Sequence, residues 1–217
     1  MIVGVDEAGR GPLAGPVVAC ALSFKNNQDL AILSSPKSQP VVSEAVYFVG
    51  ETKRKKIVFS KKIKDSKQLS AFKREEAFAW IEKNAVFGVG IADHCEIDSL
   101  NILEATFLAF NRAISSLIKK EPNAQKATYI IDGTLFKNSY DLNFLCLKQA
   151  DSRVKEVACA SIVAKVFRDY LMTVIDPIYP EWNFNQHKGY GTREHLKNIE
   201  KYSLSPLHRK TFRPCQR

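Results

Sequence analysis

The chain lacks any uninterrupted run of about 18–20 apolar residues, the length a helix needs to span a bilayer, so nothing in it reads as a membrane segment. It also lacks the basic and apolar stretches of a secretory signal. Acidic residues arrive by position 6, which argues against export. The five cysteines, Cys20, Cys95, Cys146, Cys159 and Cys215, are odd in number and far apart, and no two form a CxxC pair. Neither a zinc site nor a disulfide framework is indicated. Most of them sit among apolar neighbours, where a reduced cysteine behaves as a small hydrophobe, and a reducing cytoplasm is the simplest setting. Acid is the charge in deficit. Lys and Arg outnumber Asp and Glu by 32 to 23, for a net charge of +9. That surplus favours polyanionic partners through phosphate contacts, although many basic proteins bind no nucleic acid.

What is present is ordinary for a soluble globular protein, with 45% hydrophobic and 25% charged residues. The length of 217 residues suits one sizeable core, and no internal repeat is visible. Residues 1–5 (MIVGV) and 16–24 (PVVACALSF) read as short buried strands joined by a turn containing Gly and Pro. Residues 25–45 are rich in Ser, Pro, Asn and Gln and read as an exposed insertion. Residues 47–63 suggest a hairpin around the basic ETKRKK, whose charges suit a solvated loop or a DNA-backbone contact. A helix is predicted over 69–84 with Ser70 as its N-cap, and a strand over 86–92. Residues 97–120 place Leu100, Leu103, Phe107, Phe110, Ile114 and Leu117 in steps of three and four, a strong helix signal. Strands follow at 127–134, ending on Asp132, and at 143–151, ending near Asp151. A helix rich in small residues covers 154–174, where Ala158, Ser161 and Ala164 permit close approach to a neighbour, and a last helix covers 193–202. One α/β domain with a helical C-terminal part fits this order.

Three of the five strands expected in this α/β domain stop on or near an acid: Asp6, Asp132 and Asp151. Carboxylates gathered at one sheet edge repel one another unless cations compensate them, and hard oxygen ligands suit Mg²⁺ or Mn²⁺. Two such ions can activate water and stabilise a leaving oxygen in phosphoryl chemistry. The alternative is that each acid caps a helix or turn. Asp6 and Glu7 are expected to share a site only if the strand ends there, because successive side chains in a regular strand point to opposite faces. Gly9 and Gly11 supply a permissive backbone and expose N–H groups, with Arg10 within reach of a phosphate; an ordinary tight turn with a solvated arginine is the alternative. The wide spacing of His187, His195 and His208 favours phosphate contacts or structural hydrogen bonds over metal ligation.

Ordered blocks along nearly the whole chain are similar to ribonuclease HII, the bacterial type 2 ribonuclease H. They are GVDEAGRGPLAGPVVAC, DSKQLS, EIDSLNILEAT, YIIDG, KQADSRVKEVACASIVAKVFRD, HKGYGTREH and SPLHRKTF. The resemblance implies a ribonuclease H-like fold, a five-stranded mixed sheet flanked by helices. Its domain is expected to span 1–217, with an exposed insertion at about 25–60 and a helical extension at about 177–217. It implies endonucleolytic hydrolysis of RNA in RNA–DNA hybrids, and cleavage 5′ to a ribonucleotide embedded in duplex DNA, by a two-metal-ion mechanism leaving 3′-hydroxyl and 5′-phosphate ends. Asp6, Glu7, Asp132 and Asp151 match the four metal-binding acids, for two ions of Mg²⁺ or Mn²⁺. Gly9, Arg10 and Gly11 match the backbone that reads the 2′-hydroxyl and neighbouring phosphate.

Tyr190 matches the aromatic that packs on the sugar of the following nucleotide, although by itself a tyrosine between two glycines reads as a loop anchor. Lys67 and Asn101 match contacts to the nucleic-acid backbone, with Ser161 and Lys165 as weaker matches, and Asp169 is read as structural. The sister type, ribonuclease HIII, lacks the arginine that Arg10 supplies here. The segment before DSKQLS is longer than the family pattern, and KQAD stands where many members have KGD. A cytoplasmic monomer acting on RNA–DNA hybrids and ribonucleotide-containing DNA, with no membrane, is the expectation. A non-catalytic nucleic-acid-binding module on the same fold is the alternative.

Overall fold

In Val17–Phe24, seven of eight residues are buried, and the period-two alternation sends Val17, Ala19 and Ala21 into one apolar cluster and Cys20 and Leu22 into another. This strand, β2, therefore lies inside a three-layer arrangement. The computed structural model describes residues 1–25 and 70–216. The hairpin expected at 47–63, all of the proposed insertion beyond Lys25, and Lys67 lie outside the described residues.

β1 (Ile2–Ala8) pairs antiparallel with β2, which pairs antiparallel with β3 (Ala85–Ala92). On the other side β1 runs parallel to β4 (Thr128–Asp132), and β4 runs parallel to β5 (Asn143–Leu147). The result is a five-stranded mixed sheet in the order β3-β2-β1-β4-β5. α1 (Ala71–Asn84) starts as expected, with the Ser70 hydroxyl accepting from the Lys73 N–H. α2 spans His94–Leu100, α3 Ile102–Lys120, α4 Lys155–Ile175, α5 Phe184–His187 and α6 Arg193–Tyr202. Among the described residues no helix is long and apolar enough to cross a membrane.

One face of the sheet buries Phe107, Phe110, Ile114 and Leu117 of α3 against Val3, Val5, Val17 and Ala19. The other buries Ala77 and Ile81 of α1 and Cys159, Ala160, Val163 and Ala164 of α4 against Cys20 and Leu22. α4 comes so close to β1 that a Cβ added at Gly4 would lie 2.2 Å from the Val157 nitrogen. The small residues of α4 permit this approach.

Three expectations change. The helix predicted over 97–120 is two helices, broken at Asn101, whose φ of 75° no helix accommodates. The Asn101 side chain then caps α3 by accepting from the N–H groups of Leu103 and Glu104. The apolar stripe concealed the break, yet Leu100 and Leu103 at its start are exposed. β5 stops at Leu147, and Asp151 lies beyond it in a 3-10 turn, Ala150–Ser152. β1 runs past both Asp6 and Glu7 to Ala8, because its ladder to β2 continues after pairing with β4 ends at Val5.

Candidate active site

Asp6 lies on the part of β1 that outruns β4, and its carboxyl is buried. Burial, then the charges of Glu7 and Asp132, push its pKa well above the usual carboxylate range. The groups that ease this are the Glu7 N–H, donating to Oδ1 at 2.7 Å, and the hydroxyl of Ser161 on α4. Thus β1, the end of β4 and α4 meet at one carboxylate. Asp132 Oδ1 accepts the Ala150 N–H at 2.7 Å, which ties the end of β4 to the turn carrying Asp151. Glu7 and Asp6 are electrostatically coupled although the strand does not end between them.

Among the described residues the group whose ligand atoms all lie within 4.8 Å of one another is Asp93, His94 and Cys95; Asp6, Glu7, Asp132 and Asp151 form no such group. Asp93 is occupied as the N-cap of α2, accepting from the Glu96 N–H while Glu96 accepts from its own. At the β1 end, Asp6 and Asp132 are each turned onto a backbone N–H. An all-oxygen set at which one buried carboxyl is strained by two others has the donor chemistry of a hard divalent cation.

The chain after β1 is held from beneath. Gly9 has φ 100°, and a Cβ there would lie 2.1 Å from Arg168 Nε. Arg168 is fully buried and donates to the carbonyls of Pro16, Lys188 and Ala14 at 2.9, 2.9 and 3.1 Å. Arg209 is equally buried and donates to Gly15, Arg10 and Gly9 at 2.9, 3.0 and 2.6 Å. Burial, followed by the like charge of Arg168, lowers Arg209 to about 9, so it stays charged at neutral pH. Arg10 itself is exposed and lies 3.6 Å from Glu7 in a loose ion pair. The sequence reading missed both buried arginines. Nothing local marked them: Arg168 stands beside Asp169 and Arg209 beside Lys210, in blocks that read as charged surface.

Tyr190 is partly exposed, with Lys165 Nζ 5.3 Å and the Arg168 guanidinium 5.6 Å from its ring centroid. Lys165 also donates to Asp169 at 2.6 Å, and Arg74 reaches the same carboxylate at 3.2 Å, which gives Asp169 a bridging position between α1 and α4. The three histidines gather beneath the Tyr190 turn. His187 and His195 stack with centroids 4.1 Å apart, and His195 meets His208 nitrogen to nitrogen at 3.1 Å. Their tautomers follow from their partners. The Ser205 N–H donates to His208 Nδ1, so His208 carries its proton on Nε2 and donates to His195 Nε2. His195 then donates from Nδ1 to the Tyr190 carbonyl at 2.9 Å. Burial is the main reason that His195 and His208 are each pushed down to about 4. These are structural hydrogen bonds. Asn101 lies at the α2–α3 junction with its side-chain oxygen engaged in capping, and its amide NH₂ is the group left to donate outward.

The family model for ribonuclease HII matches residues 40–215. The chain is 39% identical over 212 residues to ribonuclease HII of Clostridioides difficile, an alignment covering 97% of this chain and 69% of that protein. The structure of a PCNA:RNase HII complex from Archaeoglobus fulgidus contains a chain that superimposes with a TM-score of 0.68 at 21% identity, covering 100% of this chain and 97% of that one. Bst-RNase HIII in complex with Mn²⁺ gives a TM-score of 0.65 at 18% identity, covering 99% of this chain and 67% of the other. The two structural likenesses establish the fold, and the sequence matches establish descent: the chain belongs to the ribonuclease HII family and is a ribonuclease H enzyme.

Proposed function

We propose that this protein is an endoribonuclease that hydrolyses RNA in RNA–DNA hybrids and nicks duplex DNA on the 5′ side of an embedded ribonucleotide, leaving 3′-hydroxyl and 5′-phosphate ends. The observation that carries this reading is the buried Asp6 carboxyl, placed beside Glu7 and Asp132 on the part of β1 that runs into the Gly9–Gly11 segment; burial first, then those two charges, raises it. Asp6, Glu7, Asp132 and Asp151 would hold two divalent ions, Mg²⁺ or Mn²⁺, which when bound supply an activated water and charge neutralisation at the departing oxygen. The carboxylates would fix where those ions sit, since an anionic side chain does not itself hold an anionic phosphate. Their rigid mounting on β1, β4 and the 150–152 turn keeps that geometry without a covalent intermediate.

The remaining residues select and hold the substrate. The amides of Gly9–Arg10–Gly11 sense the 2′-hydroxyl, which both donates and accepts hydrogen bonds. The Arg10 side chain exchanges its exposed and therefore weak pairing with Glu7 for a phosphate. Tyr190 packs on the sugar of the following nucleotide. Asn101, through its amide NH₂, and Lys67 contact the nucleic-acid backbone. The same reading takes the chain as one catalytic domain acting as a monomer.

The test is a labelled duplex with one ribonucleotide, incubated with Mg²⁺, Mn²⁺ or EDTA and with either the natural chain or Asp6→Asn. Metal-dependent nicking 5′ to the ribonucleotide, lost in the variant, supports the proposal. Cutting confined to long hybrids removes the assigned role of Gly9–Arg10–Gly11 and Tyr190, and binding without cutting returns the chain to a non-catalytic module.

A further inference from the structure

We infer that Arg209 is a positioning residue for ribonucleotide sensing: its guanidinium fixes the carbonyl side of the Gly9–Arg10 and Arg10–Gly11 peptides and thereby aims their two amide N–H groups at the ribose. The inference rests on the reading of Gly9–Arg10–Gly11 as the loop that meets the 2′-hydroxyl.

The geometry is set by the peptide bond. A trans peptide is planar, and its C=O and N–H point in opposite directions. The Gly9 carbonyl shares a plane with the Arg10 N–H, and the Arg10 carbonyl shares one with the Gly11 N–H. Arg209 donates to both carbonyls, at 2.6 and 3.0 Å, and a third bond at 2.9 Å to Gly15 fixes the rotation of the guanidinium. The opposite side of the loop must then present two successive amides. Among the described residues neither amide donates to a backbone or side-chain acceptor, and a Cβ built on Gly11 meets nothing within 4 Å. Successive N–H groups on one side of a turn form a concavity for an oxygen ligand.

A plain structural rivet explains this arrangement poorly. Burying a guanidinium is costly, and apolar residues of similar volume often serve stability as well or better. What an apolar side chain cannot supply is a planar fork that sets the orientation of two consecutive peptides. Lysine cannot supply it either, because a single ammonium is not a rigid array of donors. Arg209 arrives from the far end of the chain, which docks on the same loop through the Arg209 N–H to the Leu13 carbonyl and the Gly15 N–H to the Leu207 carbonyl. The block SPLHRKTF thereby acquires a role that does not require it to touch nucleic acid.

The experiment compares Arg209→Lys with Leu117→Ala, a core truncation on the opposite face of the sheet that lowers stability without touching the loop. For each, kcat/KM is measured on a duplex carrying one ribonucleotide and on a long RNA–DNA hybrid, at a temperature where circular dichroism shows both variants folded. The single ribonucleotide offers one register and the hybrid many, so a misaimed loop is penalised more on the former. Arg209→Lys is expected to lower the single-ribonucleotide to hybrid ratio roughly tenfold to a hundredfold, the scale of a small misplacement in an active site. Leu117→Ala is expected to leave the ratio unchanged. An unchanged ratio in Arg209→Lys, or equal loss on both substrates, overturns the inference. A natural chain that cuts hybrid but ignores the single ribonucleotide fails the underlying reading before any substitution is made, and the inference falls with it. Should Arg209→Lys not fold, Arg209→Gln is measured in the same way: its shorter planar amide cannot reach all three carbonyls that Arg209 holds, so the ratio is expected to fall by a similar factor, and an unchanged ratio overturns the inference.

Discussion

Asp6 is buried beside two other carboxylates, and its ionised form has a backbone N–H and a hydroxyl as compensation. Removing that charge therefore relieves repulsion while removing one of the proposed metal ligands. Asp6→Asn is expected to abolish nicking yet to melt at the same temperature as the natural chain or above it, checked by thermal scans in EDTA. A lower Tm would mean that the carboxylate serves the fold instead. Tyr190 is a second separable residue. Its ring lies beside Lys165 and Arg168, while its backbone is held by His195. Tyr190→Phe is expected to keep most activity at a single ribonucleotide, whereas Tyr190→Ala loses about tenfold or more, because the apolar contact with the sugar goes with the ring. Steady-state rates on the one-ribonucleotide duplex check both. Asp6 was visible in the sequence as an acid at a strand end, Tyr190 only through the family resemblance. The burial that raises Asp6 was not visible, because Ser161 and Asp132 reach it from elements far along the chain.

At the scale of elements, the α2–α3 break shows how a strong period conceals a local signal. Apolar steps of three and four continue across residues 100–107, so periodicity reads one helix. The Asn101 φ of 75° and its two capping bonds divide it. Asn101→Gly keeps the backbone geometry and loses the cap, and is expected to cost on the order of 1 kcal/mol or less. Asn101→Ala loses both and is expected to cost roughly 2–3 kcal/mol. Urea unfolding of the two variants checks the order, and equal costs would show that the positive φ carries no strain. By contrast Ser70 at the start of α1 was legible, because a serine before a run with helical period serves a purely local end. The Asp93–Glu96 capping box is equally local, but it lies just ahead of the 97–120 run and the sequence reading missed it.

For the whole molecule, two buried histidines, His208 and His195, form a neutral chain of defined tautomers between the C-terminal segment and the Tyr190 turn, with His187 stacked on His195. His195 and His208 have folded pKa values of about 4, below the ordinary value of about 6.5 expected when unfolded. Between those limits the unfolded chain binds more protons. Stability is therefore full above pH 6.5 and is lost as pH falls toward 4. A Tm lower by on the order of 5 °C at pH 5 than at pH 7 is expected, and the difference should shrink in His208→Gln. No change in the natural chain would show that these imidazoles are not held neutral. The net charge of +9 predicts binding that weakens steeply with salt, which a titration of duplex affinity against ionic strength checks.

The sequence by itself determined the class of fold, the approximate places of the five strands of the described sheet and, through its ordered motif blocks, the family. Strands and fold class depend on residue type and local period, which a chain carries along its length; the four acids were singled out by the family resemblance, and their joint role is a proposal. The tertiary structure alone decided that Asp6 is buried and faces Asp132, that the His187, His195 and His208 rings pack on one another, and that Arg209 lies beneath Gly9 and Arg10. Those facts depend on which distant segments meet. No local period encodes the approach of residue 209 to residue 9; it follows only once the sheet and α4 have set the floor on which the C-terminal segment docks.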